Sequence, residues 1–167
     1  GERFEREVAS KFDAIAVVSE NERRLMEGLL RNGDGQKIEV IPNGVDPALF
    51  DFSSPAREPG LLLFTGALTY QANYDAALRL CTEILPAVRT RIGGAHARVT
   101  GNFNGVDVTG LAGATGVELT GYVDDIRPVV ASAPVLVVPL RYGGGTRLKI
   151  LEAMALGTPV VSTPMGA

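Results

Sequence analysis

The sequence predicts a doubly wound α/β fold built on a mostly parallel sheet. Short apolar runs of strand length alternate with stretches of helical period along nearly the whole chain, which is the pattern of βαβ units. Several runs, such as Leu61–Thr65 and Val135–Pro139, are apolar almost throughout, as strands covered on both faces are. Three runs end alike, in Thr65-Gly66, Thr100-Gly101 and Thr120-Gly121, so the chain leaves each strand through a glycine.

The elements follow in order. Glu2 to Lys11 reads as a helix and Ala14 to Val18 as a buried strand. Ser19 with Glu22 fits a capping box that opens a helix to about Arg31. Lys37 to Ile41 is the next strand, halted by Pro42-Asn43-Gly44. From Asp46 to Pro59 three prolines and no periodicity mark a linker. Strand Leu61–Thr65 then leads to a helix over Tyr74–Ile92. Ala97–Thr100 leads to a glycine-rich helix near Gly105–Ala112, and Val117–Thr120 to a short helix over Asp125–Ser132. Val135–Pro139 leads to the helix Thr146–Leu156, and Pro159–Ser162 is the last strand. The expected organisation is a front piece over 1–45, a linker over 46–58 and a main unit over 59–167.

Bulk properties narrow the function classes. The 167 residues suffice for one domain with a real core, or for one domain plus a piece of another. Sixteen basic and 19 acidic residues give a net charge of −3, so no global attraction draws the chain to nucleic acid. Cys81 stands alone and cannot form an internal disulfide, which fits a reducing compartment. No apolar run reaches the roughly 18–20 residues of a membrane span, and no signal peptide is visible. The chain starts without Met and stops at Pro164-Met165-Gly166-Ala167, directly after a strand, so a piece of a longer protein is expected.

Ligands of open α/β sheets bind outside the carboxyl ends of the strands. There the densest glycine run, Gly143-Gly144-Gly145, opens the helix that carries Thr146, Arg147, Leu148, Lys149 and Glu152. Free N–H groups and the dipole at a helix start attract anions. Arg147 and Lys149 stand where basic side chains are disfavoured, which makes sense if a phosphate neutralises them. The helix is apolar almost all round, so it is expected to be buried on most sides, and a buried Glu152 would need a partner. That partner is either Lys149, three residues earlier, or the hydroxyls of a ligand such as a ribose. Gly143–Lys149 is not a P-loop, and no strand–helix turn carries GxGxxG or GxSxG. One Cys and one His cannot build a zinc site. His96 reads as a surface residue, and Asp124 or Asp125 as an N-cap.

Four stretches together resemble the family 4 glycosyltransferases of the GT-B fold. They are Phe12-Asp13-Ala14-Ile15-Ala16-Val17-Val18-Ser19-Glu20, Ile41-Pro42-Asn43-Gly44-Val45-Asp46, Leu63-Phe64-Thr65-Gly66-Ala67, and Gly144 to Pro159 with Leu151-Glu152-Ala153-Met154-Ala155-Leu156-Gly157-Thr158. The first looks like the end of the acceptor-side domain, the second like the interdomain crossover, and the last two like the Rossmann-like donor domain. Gly-Gly-Gly-Thr-Arg-Leu-Lys is similar to a bacterial subgroup linked to exopolysaccharide and envelope sugars. The resemblance implies transfer of a sugar from a nucleotide-sugar to a saccharide or lipid-linked acceptor hydroxyl, usually with retention and without a bound metal or other cofactor. It implies a cytoplasmic protein, with room for peripheral membrane association through a domain outside this chain.

The resemblance also implies residue roles. Glu152 matches the glutamate that holds the ribose. The backbone at Leu148 and Lys149 would lie against diphosphate and ribose, while Tyr122 and Val123 would border the base. Gly66, Gly144, Gly145, Thr146 and Arg147 complete the expected donor site, and no catalytic residue is assigned. Three family features are absent. The first glutamate of the family's pair falls on Gly144, and an arginine and a lysine of the first loop fall on Ala67 and Asn73. Arg147 and Lys149 are candidates to replace those two cations. Two alternatives stay open: a non-catalytic nucleotide-binding or scaffold module of the same fold, and another nucleotide-binding α/β enzyme such as an epimerase or dehydrogenase.

Overall fold

Helix α1 (Glu2–Ala9), strand β1 (Ile15–Val17), helix α2 (Glu20–Leu29) and strand β2 (Ile38–Val40) open the chain. In the computed structural model, β1 and β2 pair in parallel with Ile15 opposite Ile38, and Ala9, Val17, Leu30 and Ile38 form a small core. The residues described are 2–9, 11–30, 37–46, 48, 55–143 and 145–166. By contacts the chain divides into two compact units, one of residues 1–44 with 144–146, the other of 45–143 with 147–167.

The capping box forms, with one change. Ser19 Oγ accepts from the Glu22 N–H at 3.2 Å, but Glu22 Oε2 reaches back to the Val18 N–H at 3.0 Å, one residue before the N-cap. Ser19→Ala is expected to weaken α2 by about 1 kcal/mol. Faster amide exchange through residues 20–29, with the second unit unaffected, checks this.

The second unit carries strands β3 (Leu61–Thr65), β4 (His96–Thr100), β5 (Val117–Gly121), β6 (Val135–Val138) and β7 (Val160–Ser162). They form a parallel sheet in the order β5-β4-β3-β6-β7. All five residues of β3 are buried, which explains its unbroken apolar run at the sheet centre. The connections are a long helix in two halves, α3 (Gln71–Arg79) and α4 (Leu85–Arg89), then α5 (Thr109–Ala112), α6 (Ile126–Ser132) and α7 (Leu148–Ala155). Right-handed crossovers put α3 to α5 on one face of the sheet and α6 and α7 on the other.

Helix α3 begins three residues before the expected Tyr74, and a π turn over Leu80–Ile84 joins it to α4. Pro86 gives the physical reason. It has no N–H for the carbonyl four residues back, and its ring crowds that carbonyl; a wider turn relieves the clash. The Leu85 N–H accordingly donates to the Leu80 carbonyl. The glycine-rich helix expected near Gly105 shrinks to Thr109–Ala112, because Asn102 and Asp107 side chains take up loop N–H groups before it. Asp125 is the N-cap of α6, accepting from the Arg127 N–H at 3.0 Å.

One expectation fails. Helix α7 is not buried on most sides: Ala153 is its only fully buried residue, while Leu148 and Met154 are 44% and 65% exposed. The helix covers a single face of the sheet beside its edge strand β7, so an all-round apolar sequence does not become an all-round buried helix.

Candidate functional site

The strand order fixes where a ligand can enter. From β3 the chain moves outward through β4 to β5, then returns to β6 on the other side of β3 and moves on to β7. The connections leaving β3 and β6 therefore diverge, and a crevice opens between the carboxyl ends of these two neighbours. Segments of the second unit border it, Gly66–Tyr70, Pro139–Gly143 and Arg147.

The first loop is pressed against β4. The Gly66 N–H donates to the Thr100 carbonyl at 2.8 Å, and the Leu68 N–H to the Asn102 carbonyl at 2.8 Å. Gly101 has φ +149°, and a Cβ there would lie 2.1 Å from the Gly66 carbonyl oxygen. The turn leaves no room for any side chain at 101. At Gly66, also at φ +149°, a Cβ would lie 2.8 Å from Lys149 Nζ and 2.9 Å from Asn73 Nδ2.

Lys149 is the cation of this crevice. It leaves the first turn of α7, lies with its ammonium 4.7 Å from the Phe64 ring centroid, and donates to the Thr65 carbonyl and to Asn73 Oδ1, the latter at 3.2 Å. Burial, and next the Arg147 charge, pull its pKa from 10.5 down to about 8; Glu152 acts in the opposite sense. Asn73 is itself oriented, because its Nδ2 donates to the Ala67 carbonyl at 3.0 Å.

Arg147 stands at the N-cap of α7, with φ −86° and ψ 84°, and no side chain caps the helix. The first-turn N–H groups thus lack a side-chain acceptor. Its Nη2 is buried without a hydrogen-bond partner, 2.8 Å from where a Cβ on Gly143 would sit. Gly143, at φ +118°, gives the guanidinium its space. The loop is anchored to α3 and to the π turn after it: Tyr142 Oη donates to the Gln71 carbonyl at 3.4 Å, and Arg141 pairs with Glu83 at 2.8 Å.

Of the two partners expected for Glu152, Lys149 is ruled out. Glu152 is half-buried, and among the described residues its carboxylate has no ion pair or hydrogen bond. Lys149 does not pair with it, because the ammonium is drawn to the end of β3 instead. The buried charge of this helix is Lys149.

The other expected site residues separate. Gly66, Arg147, Lys149 and the exposed Leu148 meet at the crevice or beside it. Tyr122, 74% exposed, and the half-buried Val123 follow the edge strand β5, two strands from β3. Gly145, at φ +82°, and Thr146 belong to the first compact unit. Gly144 lies outside the described residues. Sequence reasoning treats Asn73 only as a lost cation and misses its hold on Lys149; it passes over Gly143 as the space for Arg147. The positive charges at a helix start were the available signal for both.

His96 lies at the other end of the sheet, at the start of β4, with Nε2 2.8 Å from Glu58 Oε1. Arg98 bridges Glu58 and Glu118 there, at 2.9 and 2.6 Å. Among the described residues, no three His, Cys, Asp or Glu side chains gather to hold a metal ion, and no helix is long and apolar enough to cross a membrane.

Comparison with known proteins agrees with the fold. The family model described as "Glycosyl transferases group 1" matches residues 59–167. Phosphatidyl-myo-inositol mannosyltransferase of Mycobacterium tuberculosis is 31% identical over 160 residues, covering 92% of this chain and 40% of that protein. The chain spans about two fifths of the length of the curated relatives it matches. Among solved structures, TarM superposes with a TM-score of 0.77 at 18% identity, over 99% of this chain and 32% of that one. Anabaena HepE, crystallised with UDP and glucose, gives 0.75 at 18% identity, over 99% and 48%.

Proposed function

The chain belongs to the group 1 glycosyltransferases, in line with its resemblance to family 4, and from that membership we propose that it forms the nucleotide-sugar-binding part of an enzyme that transfers a sugar to an acceptor hydroxyl. The observation that carries the reading is the buried, unpartnered Arg147 Nη2 in the crevice between β3 and β6. A buried guanidinium nitrogen without an acceptor costs free energy, and a phosphate oxygen would relieve it.

The residues divide the donor between them. Arg147, Lys149 and the open start of α7 face the diphosphate. They supply the positive charge that stabilises a leaving nucleoside diphosphate, a task a divalent metal performs elsewhere; here no metal or cofactor is required. Glu152, one turn along α7 from Lys149 with its carboxylate free, accepts from the ribose hydroxyls. Tyr122 and Val123, two strands away, border the base. A saccharide or lipid-linked acceptor, and a cytoplasmic location at or near the inner face of a membrane, belong to the whole protein under this reading. Retention of configuration is the expected outcome.

Titration of the chain with UDP, GDP and NAD tests the proposal. UDP or GDP is expected to bind and NAD not to. Arg147→Ala is expected to weaken the nucleoside diphosphate about tenfold, the worth of one charge-assisted hydrogen bond. Preference for NAD, or unchanged UDP and GDP affinity in the variant, would overturn it.

A further inference from the structure

Lys149 and Asn73 come from different elements, yet their side chains fill one space. Lys149 projects from α7, and Asn73 from the first turn of α3. They meet at the end of β3, where both stand within 2.9 Å of a Cβ imagined on Gly66. The space is small, because the Phe64 ring closes its floor and the Thr65 carbonyl one wall.

Asn73 is set to hold that ammonium. An asparagine amide is ambiguous until its nitrogen finds an acceptor. Here Nδ2 donates to the Ala67 carbonyl at 3.0 Å, so Oδ1 turns to Lys149 Nζ at 3.2 Å. The orientation that closes the Gly66–Tyr70 loop also presents an acceptor to the lysine. The charged groups facing Lys149 come from its own helix and N-cap, namely Glu152 and Arg147; β3 and α3 face it with neutral groups, the Phe64 ring, the Thr65 carbonyl and the Asn73 amide.

The geometry points to residues 73 and 149 as an exchange pair around a single cation slot: one side chain carries the charge, and the other, Asn73, positions it toward the diphosphate of the donor. This rests on the donor-binding reading above, which gives Lys149 a ligand to face. Asn73 is thereby a positioning residue that acts through Lys149. Because Lys149 Nζ lies at hydrogen-bond distance from Asn73 Oδ1, a lysine at 73 would place its ammonium in the same slot.

The test compares UDP with uridine, and reads Lys149 directly. Lys11, Lys37 and Lys149 are the only lysines of the chain, so the Lys149 side-chain resonance can be assigned by its loss in Lys149→Met. Lys149→Met is expected to weaken UDP about tenfold and leave uridine unchanged. Asn73→Ala is expected to weaken UDP about fivefold, again with uridine unchanged, and to lower the Lys149 titration midpoint, because an acceptor that favours the ammonium is gone. Asn73→Lys combined with Lys149→Met is expected to bind UDP within about threefold of the parent.

If Lys149→Met leaves UDP binding unchanged, the donor-binding reading of Lys149 falls and this inference with it. If Lys149→Met weakens UDP but Asn73→Ala does not, or weakens uridine equally, only the role of Asn73 is overturned. Failure of the exchanged pair to regain UDP binding overturns the single-slot assignment. Should Asn73→Ala not fold, Asn73→Asp replaces it, with an expected rise in the Lys149 midpoint from the adjacent carboxylate; no rise sinks the contact.

Discussion

Gly101→Ala is expected to destabilise the second unit by about 4 kcal/mol, a large fraction of the stability ordinary for a domain of its size. Two independent costs add at this position. The backbone sits at φ +149°, where an L side chain is strained, and the new methyl carbon would stand 2.1 Å from the Gly66 carbonyl oxygen and 2.5 Å from its carbon. Neither neighbour can move away cheaply. Gly66 is tied by its N–H to the Thr100 carbonyl, and Gly101 by its own to the Gly121 carbonyl at 2.9 Å. Gly105→Ala makes a useful control, since Gly105 also has positive φ, at +76°, but nothing lies within 4 Å of its Cβ position. It should cost only the conformational term, about 1–2 kcal/mol. Urea unfolding of both variants separates clash from conformation. Equal losses would show that the contact between the two strand ends is softer than its geometry.

That contact bears on what the sequence could reveal. The repeated Thr-Gly strand ends were visible, and so was the alternation that yields β3 to β7. Both depend on local pattern, and local pattern encodes period and turn chemistry well. The glycine at 101 could be seen to permit a close approach, but not what approaches: Gly66 is 35 positions away, and only the strand order brings it there. The same holds at the crevice. Gly143, Arg147 and Lys149 stood out as a glycine loop with basic residues at a helix start. Which of them turned inward depends on α7 lying on one face of the sheet, a fact its apolar sequence obscured. A nearly uniform apolar helix gives no stripe from which to read a buried side, so the sequence points to Glu152 as the buried charge, whereas Lys149 is the one drawn in to the end of β3. Asn73 was legible only as the absence of a lysine. Its meaning came from the rotamer that joins Ala67, Asn73 and Lys149.

Lys149→Met is expected to stabilise the chain at pH 7 while weakening its hold on a nucleoside diphosphate. The stability side follows from the pKa. The folded chain holds the Lys149 proton with a pKa of about 8 against an ordinary 10.5. The unfolded chain therefore binds that proton more readily. Below about pH 8 both states carry the charge and the full cost of burying it is felt, about 3 kcal/mol from the difference in pKa. Between about 8 and 10.5 the folded state sheds the proton first, so the stability of the parent rises with pH across that window. Methionine has a similar length and no charge to bury, and it packs well on the Phe64 ring. Its gain is reduced by the loss of two donated hydrogen bonds, to Thr65 and Asn73, of about 1 kcal/mol each. The net expectation is a gain of about 1 kcal/mol at pH 7 that shrinks as pH passes 8 and becomes a deficit near 10.5. Denaturation midpoints of parent and variant at pH 7, 9 and 10.5 trace this crossing. Parallel pH profiles would mean that the Lys149 ammonium is solvated in the folded chain and that its burial costs nothing. A residue that lowers stability where the protein works, and that points its charge into the crevice between β3 and β6, belongs to binding rather than to the core. Opposite signs for stability and UDP affinity in this one variant are the signature of that trade.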